Sequence, residues 1–478
     1  MPKPARLRSG RRVDPRARAR DTVPPHAAAL PMFQDHRRRF LACMEEGDLA
    51  LFPGAGLRLR SHDVVYPFRQ QSDFWYLTGL REPDALLLLA KGVGDLPAET
   101  LFVAAREPER EAWTGPRVGP EGAVSQLGFA AAAPLRGAEA RLDQALGRCR
   151  RLWYRLGEDA RWDRWLLQAL PGWRRRTRLE EAGPETLLDP TRALAELRLH
   201  KSAAELECMR RAAAITAEAH LLVMARAEPG AGEWELEALL SYTFRRHGAD
   251  GWAYPPIVAS GANACVLHYT ACDRRLADGD LVLVDAGAEV AGYAADVTRV
   301  FPAGGCFSPP QRELYEIVLE AQRAALAAAA PGLPVDGVHQ AAVLVLAQGL
   351  RALGVLSRGA EEIVVKQLYR PWFMHNTSHW LGLDVHDAGR YVVGGSSRPL
   401  RPGMCLTVEP GLYFSTDDER VPRELRGLGV RIEDDLLITA SGNELLTAAV
   451  PTHPAAVEEA CAAVCPLPPA LATEIVHP

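Results

Sequence analysis

Long apolar runs are missing from this chain of 478 residues. No window approaches the roughly 20 apolar residues that a membrane-spanning helix needs. The nearest, Ala321 to Ala330, is short and alanine-rich and reads as part of a soluble helix. Cys-x-x-Cys pairs are missing too, and the nine cysteines are odd in number and scattered. Cys461 and Cys465 stand four apart, a weak metal signal. Such usage argues against a disulfide framework and for reduced thiols in the cytoplasm. The basic N-terminus has no apolar segment behind it, which excludes a secretory signal there. No repeat of 20 to 50 residues is found, which excludes a solenoid.

What is present fits a globular protein: 48% hydrophobic and 24% charged residues, near the usual averages. The length allows roughly two to four domains. The formal charge of −5 is uneven, because the first 20 residues carry eight Lys/Arg against Asp14 alone. Arg and Pro without aromatics cannot build a core, so residues 1–31 are expected to be a disordered basic arm. Neither nucleic acid nor a membrane is expected as a partner. The Trp-rich basic stretch Arg161 to Arg178 reads as a packing helix.

Strand–helix alternation over residues 33–195 predicts a small α/β domain. Ser202-Ala-Ala-Glu205 has the form of a capping box, so a long helix should follow. Residues 200–450 then read as two helices followed by strands, twice over, which suggests a duplicated α+β catalytic domain. Residues 451–478 are expected to be a flexible tail.

Candidate chemistry collects in a few segments. Residues 373–389 hold His375, His379 and His386, three of the chain's 13 histidines, within twelve positions. Imidazole is the commonest metal ligand and the usual proton carrier near neutral pH. Asp285 closes the apolar run Leu281 to Val284, and Asp296 follows eleven residues on, in what reads as a hairpin. Glu409 follows another apolar run. Gly429 to Ile438 reads as one alternating strand with Arg431, Glu433 and Asp435 on one face. Each acid alone reads as a cap, a turn or a surface ion pair. Converging, four buried carboxylates would repel and take up protons, and two divalent cations would cancel their charge. Oxygen donors with one nitrogen suit Mn²⁺, Co²⁺ or Zn²⁺ rather than a thiolate-bound ion.

The order Asp285, Asp296, His379, Glu409, Glu433 resembles the pita-bread metallopeptidases, and within them the aminopeptidase P family. The segments Val266 to Thr270, Leu281 to Phe301, Phe373 to Asp387, Thr407 to Tyr413, Gly429 to Asp435 and Ser72 to Gly79 carry the resemblance, over roughly residues 33 to 450. Asn376-Thr377 departs from it, since the family more often has Gly and an aliphatic residue there.

The resemblance implies a bacterial-type Xaa-Pro aminopeptidase, with two divalent metal ions, Mn²⁺ foremost, and a bridging hydroxide as nucleophile. Its substrates would be peptides with proline in second position. The implied metal ligands are Asp285, Asp296, His379, Glu409 and Glu433. Glu409 is also the implied general base, and His268 and His386 the implied substrate-side histidines. His375, Tyr413 and Arg431 would line or brace the pocket. Trp113 resembles a residue lent by a neighbouring subunit, which implies a homodimer or homotetramer. Arg178 matches a substrate-facing arginine by spacing. The alternatives are a prolidase restricted to Xaa-Pro dipeptides, a metal-free creatinase type, which would require these ligands to be replaced, and a non-catalytic binding protein on the same fold.

Overall fold

A computed structural model of the chain describes residues 25–175 and 182–463. Most of the expected basic arm and the end of the tail lie outside them. The helix Pro25–Cys43 begins inside the stretch expected to be disordered, because Phe33 and Phe40 later in it are buried and anchor its start. A helix, Pro454–Ala462, also stands in the segment expected to be a flexible tail, where Val457 is fully buried. The chain divides into two compact units, Met1–Leu188 and Asp189–Pro478.

The first unit is built on a six-stranded mixed sheet. Asp48–Pro53 lies near its middle, antiparallel to Leu86–Lys91 and parallel to Arg151–Trp153. Alternate residues such as Leu49, Leu51, Leu86 and Leu88 face one apolar core, as period-two strands require. The helices Ala138–Arg148 and Ala160–Arg174 add Leu142, Leu146 and Leu166 to it. The packing is close enough that a Cβ on Gly147 would meet the Trp173 ring at 2.2 Å.

The second unit has the pita-bread pattern of duplicated halves. The helices Ala203–Met224 and Glu233–Arg246 precede a three-stranded sheet of Ile257–Ser260, Leu281–Asp285 and Thr298–Pro302. Pro309–Ala328 and Val335–Ala352 then precede a second sheet of Cys405–Val408, Asp434–Ile438 and Asn443–Leu445. The Ser202–Glu205 capping box forms, with Ser202 N donating to Glu205 Oε2 at 2.7 Å.

Two predicted strands are interrupted, and both breaks shape the site. The expected hairpin from Leu281 to Phe301 divides between two sheets: Asp285 pairs with Thr298, while Ala288–Val290 and Tyr293–Ala294 form a separate ribbon. At the break, a Cβ on Gly287 would stand 1.6 Å from the Ala295 carbonyl oxygen, so only glycine permits the approach. The alternating run Gly429 to Ile438 is likewise not one strand. Gly429–Arg431 pairs with Gly411–Tyr413, and Asp434–Ile438 pairs with Cys405–Val408. The switch of partner falls at Ile432 and Glu433.

Candidate active site

These breaks turn acidic side chains into one cavity of the second unit. Its volume is ≈ 780 Å³, and Asp285, Asp296, His379, Glu409, Arg431 and Glu433 all line it. Asp285, Asp296 and Glu433 are 8%, 5% and 2% exposed, so none of them is a surface charge. Asp435, expected on the same face, is not in the lining. It stands behind, with its Oδ2 accepting from Asp296 N at 3.1 Å.

Asp296, His379 and Glu433 each offer a donor atom within 4.8 Å of the others. His379 Nε2 lies 3.3 Å from Asp296 Oδ2 and 3.6 Å from Glu409 Oε1. Its Nδ1 is 3.1 Å from the Trp380 carbonyl oxygen, a partner that puts the ring proton on Nδ1 and leaves Nε2 as a ligand atom. Asp285 stands beside this group, tied to Asp296 through Tyr254, whose hydroxyl is 2.6 Å from Asp285 Oδ1 and also in hydrogen-bond contact with Asp296 Oδ1.

One guanidinium reaches Asp285 directly and Glu433 through Thr298. Arg431 donates to Asp285 Oδ2 at 2.6 Å, to Thr298 Oγ1 at 2.9 Å and to the Tyr413 hydroxyl at 3.1 Å. Thr298 Oγ1 donates onward to Glu433 Oε2 at 2.7 Å. Arg431 and the His379 ring together are too few for four carboxylates. Burial, and then the neighbouring acids, push the Glu433 carboxyl well above its usual range. Burial also pushes Glu409 up, to about 7, against the charges of His379 and Arg431, and raises Asp285 despite Arg431 beside it. For His379, burial favours the neutral ring but is outweighed by Asp296 and Glu409, which raise it to about 9. The cluster therefore has negative charge to spare, and its hard oxygen donors with one imidazole fit divalent cations.

The other histidines differ in their settings. His386 and His268 both line the cavity and are exposed to it. The His386 ring centroid is 4.3 Å from that of His379. His375 lies against Glu409, with Nδ1 3.4 Å from Oε2. Its Nδ1 also donates to the Asn376 carbonyl oxygen at 2.8 Å, and its Nε2 is 2.8 Å from the Tyr413 hydroxyl. Burial lowers the His375 ring to about 3, with Arg431 adding to the effect, so it is neutral. Tyr413 is buried behind the lining as a brace between His375 and Arg431. Trp113 belongs to the first unit, on Pro108–Thr114, and is 90% exposed. Arg178 lies outside the described residues.

Sequence reasoning missed Tyr254 and His339. Tyr254 has no local signal, since the acids it joins are 31 and 42 residues away. His339 lines the cavity from the helix Val335–Ala352, with Nδ1 2.8 Å from Thr377 Oγ1. A histidine on the half-apolar face of a helix reads from sequence as packing.

The comparisons with known proteins agree with this architecture. Residues 207–440 match Metallopeptidase family M24, and residues 33–153 match the aminopeptidase P N-terminal domain. The chain is a member of metallopeptidase family M24, a divalent-metal hydrolase with the pita-bread fold. It carries the aminopeptidase P type of N-terminal domain. It is 43% identical to the Xaa-Pro aminopeptidase of Escherichia coli (strain K12), over 89% of this chain and 96% of that one. The Xaa-Pro aminopeptidase of Haemophilus influenzae is 41% identical, over 91% and 98%. The structure of the Pseudomonas aeruginosa aminopeptidase PepP superposes with a TM-score of 0.88 at 42% identity, covering 91% of this chain and 98% of that one.

Proposed function

We propose that this enzyme hydrolyses the bond between an N-terminal residue and a following proline in peptides, using a pair of divalent cations. The observation that carries this reading is the cavity in which four carboxylates meet with only Arg431 and the His379 ring to offset them. The names of its relatives supply the substrate class. Asp285, Asp296, His379, Glu409 and Glu433 would hold the metals.

A bond to proline nitrogen is a tertiary amide and offers no N–H for a general peptidase cleft to read. Divalent cations held by these residues would supply Lewis acidity for the scissile carbonyl and lower the pKa of the attacking water. Glu409 takes the proton of the attacking water and delivers it to the proline nitrogen, the atom that must leave protonated. His268 and His386, both open to the cavity, donate to the oxygen that gains charge. His375 packs against Glu409, its ring held by the Asn376 carbonyl oxygen and the Tyr413 hydroxyl. Arg431 holds Asp285 and, through Thr298, Glu433, so the ligand carboxylates keep their orientation while the substrate changes charge. The closed, acidic end of the cavity suits the substrate's free α-amine, as an exopeptidase needs.

Mn²⁺ is the metal this reading assigns, with Co²⁺ and Zn²⁺ as its competitors. The eight described cysteines are all free thiols, which supports a cytoplasmic setting. Trp113 and Arg178 are assigned to substrate contact in a homodimer or homotetramer, a state that light scattering would report. The deciding experiment is release of the first residue from an Xaa-Pro-Xaa tripeptide, with and without added Mn²⁺. Metal-dependent cleavage is expected. Cleavage of the dipeptide alone would make the enzyme a prolidase, and hydrolysis of neither with metal present would leave a binding protein on this fold.

A further inference from the structure

The loop that carries His268 runs between the strands Ile257–Ser260 and Leu281–Asp285. Its one helical turn is Gly261–Cys265. So irregular a segment keeps one shape only if its polar groups are tied down. His268 does not tie itself: the ring is exposed to the cavity and has no hydrogen-bond partner among the described residues. Its place is whatever its backbone dictates.

The ties meet on one carboxylate. Glu233, fully buried at the start of the helix Glu233–Arg246, accepts from the loop at both ends and in the middle. Its Oε1 takes Ser260 N at 2.7 Å, Ser260 Oγ at 2.7 Å and Asn263 Nδ2 at 3.2 Å. Its Oε2 takes Arg274 N at 3.0 Å and lies 2.8 Å from the hydroxyl of Tyr269, the residue after His268. That hydroxyl is also 2.8 Å from Asp273 Oδ1, so its single proton is shared between two loop anchors. The Arg274 guanidinium goes to Asp280 and Ser260 Oγ instead, at 2.5 and 2.6 Å, which locks the loop's outer end to the same centre. Full burial costs this carboxylate more than it costs an exposed helix-start acid, and the donors gathered around it offset that cost.

We propose that Glu233 is the positioning residue for His268: it fixes the Ser260–Arg274 loop so that the imidazole stands in the cavity wall. The consequence for turnover rests on the reading of His268 as a substrate-side group; the geometric part does not.

Glu233→Gln keeps the shape but turns one acceptor into a donor, which collides with N–H groups on one side of the carboxylate. The His268 ring signal, assigned among the 13 histidines by its loss in His268→Ala, should move or broaden in Glu233→Gln, while the His375, His379 and His386 signals and the metal content stay. With the Xaa-Pro-Xaa tripeptide, kcat/KM should fall roughly 10- to 100-fold, the scale of an ångström-level misplacement, chiefly through kcat. In a His268→Ala background, Glu233→Gln should cost no further activity. If Glu233→Gln fails to fold, Tyr269→Phe removes the tie beside His268 and should shift the same signal alone. A shifted signal together with full activity of His268→Ala would uphold Glu233 and remove His268 from the reaction. An unshifted His268 signal, or losses that multiply in the double variant, would overturn the proposal.

Discussion

Two groups of buried carboxylates in the second unit have opposite fates. Asp387 is 1% exposed at its side chain and lies between Arg198, at 2.5 Å, and Lys201, at 2.9 Å. Burial alone would raise its carboxyl, but the two cations outweigh burial and hold it below the usual carboxylate range. Asp434 pairs in the same manner with the fully buried Arg299 at 2.7 Å. In the cavity, Asp285, Asp296, Glu409 and Glu433 have Arg431 and the His379 ring between them, and three of the four are raised. Residue type is alike in the two groups, and the cavity acids are, if anything, the less buried. The number of cations for each carboxylate separates a structural clamp from a site that needs added metal.

The sharpest break in this comparison is Glu409→Ala. Turnover of the tripeptide should fall by at least roughly 10²- to 10⁴-fold, the span of general acid–base catalysis, while the circular dichroism spectrum stays that of the folded protein. An active, folded Glu409→Ala enzyme would remove Glu409 as the base. Asp387→Asn should do the reverse. It leaves Lys201 facing a neutral amide and Arg198 with Asp384 alone, and about 3–5 kcal/mol of stability should disappear in a urea titration, while metal content in the surviving folded fraction holds.

Removing metal with a chelator should abolish activity and lower the melting temperature, since a ligand at a hundredfold excess over its Kd contributes about 2.7 kcal/mol. Added Mn²⁺ should restore both. A melting curve indifferent to chelator would mean that the excess negative charge is not neutralised by metal. The smallest effect is one of pH. Because the folded Asp387 carboxyl is depressed, its stabilisation is complete above the unfolded value of about 4 and is lost as pH falls through the folded value. Stability curves of wild type and Asp387→Asn should therefore converge in acid; parallel curves would show that Asp387 is not charged in the fold.

Much of the candidate site was legible because each acid carries a local mark. Asp285 and Glu409 end apolar runs, and Arg431 and Glu433 stand two apart. The helix pairs were legible for the same reason, with the Ser202–Glu205 box as a clear start signal. The strand breaks at Gly287 and Glu433 were not, because period-two alternation runs straight through them and the change of pairing partner leaves no trace in spacing. Glu233 was hidden as well: its bonds reach Ser260, Tyr269 and Arg274, 27 to 41 residues away.

The sequence by itself determined which residue types were available to the chemistry, in what order, and the helices and strands that present them, since these depend on neighbours within a few positions. Tertiary structure alone decided that four acids meet around Arg431 and His379, that Tyr254 joins Asp285 to Asp296, and that Asp435 falls behind the cavity. Arg431 meets Asp285 across 146 residues. The balance of charge in a buried site is a property of distances in space, and no local pattern encodes it.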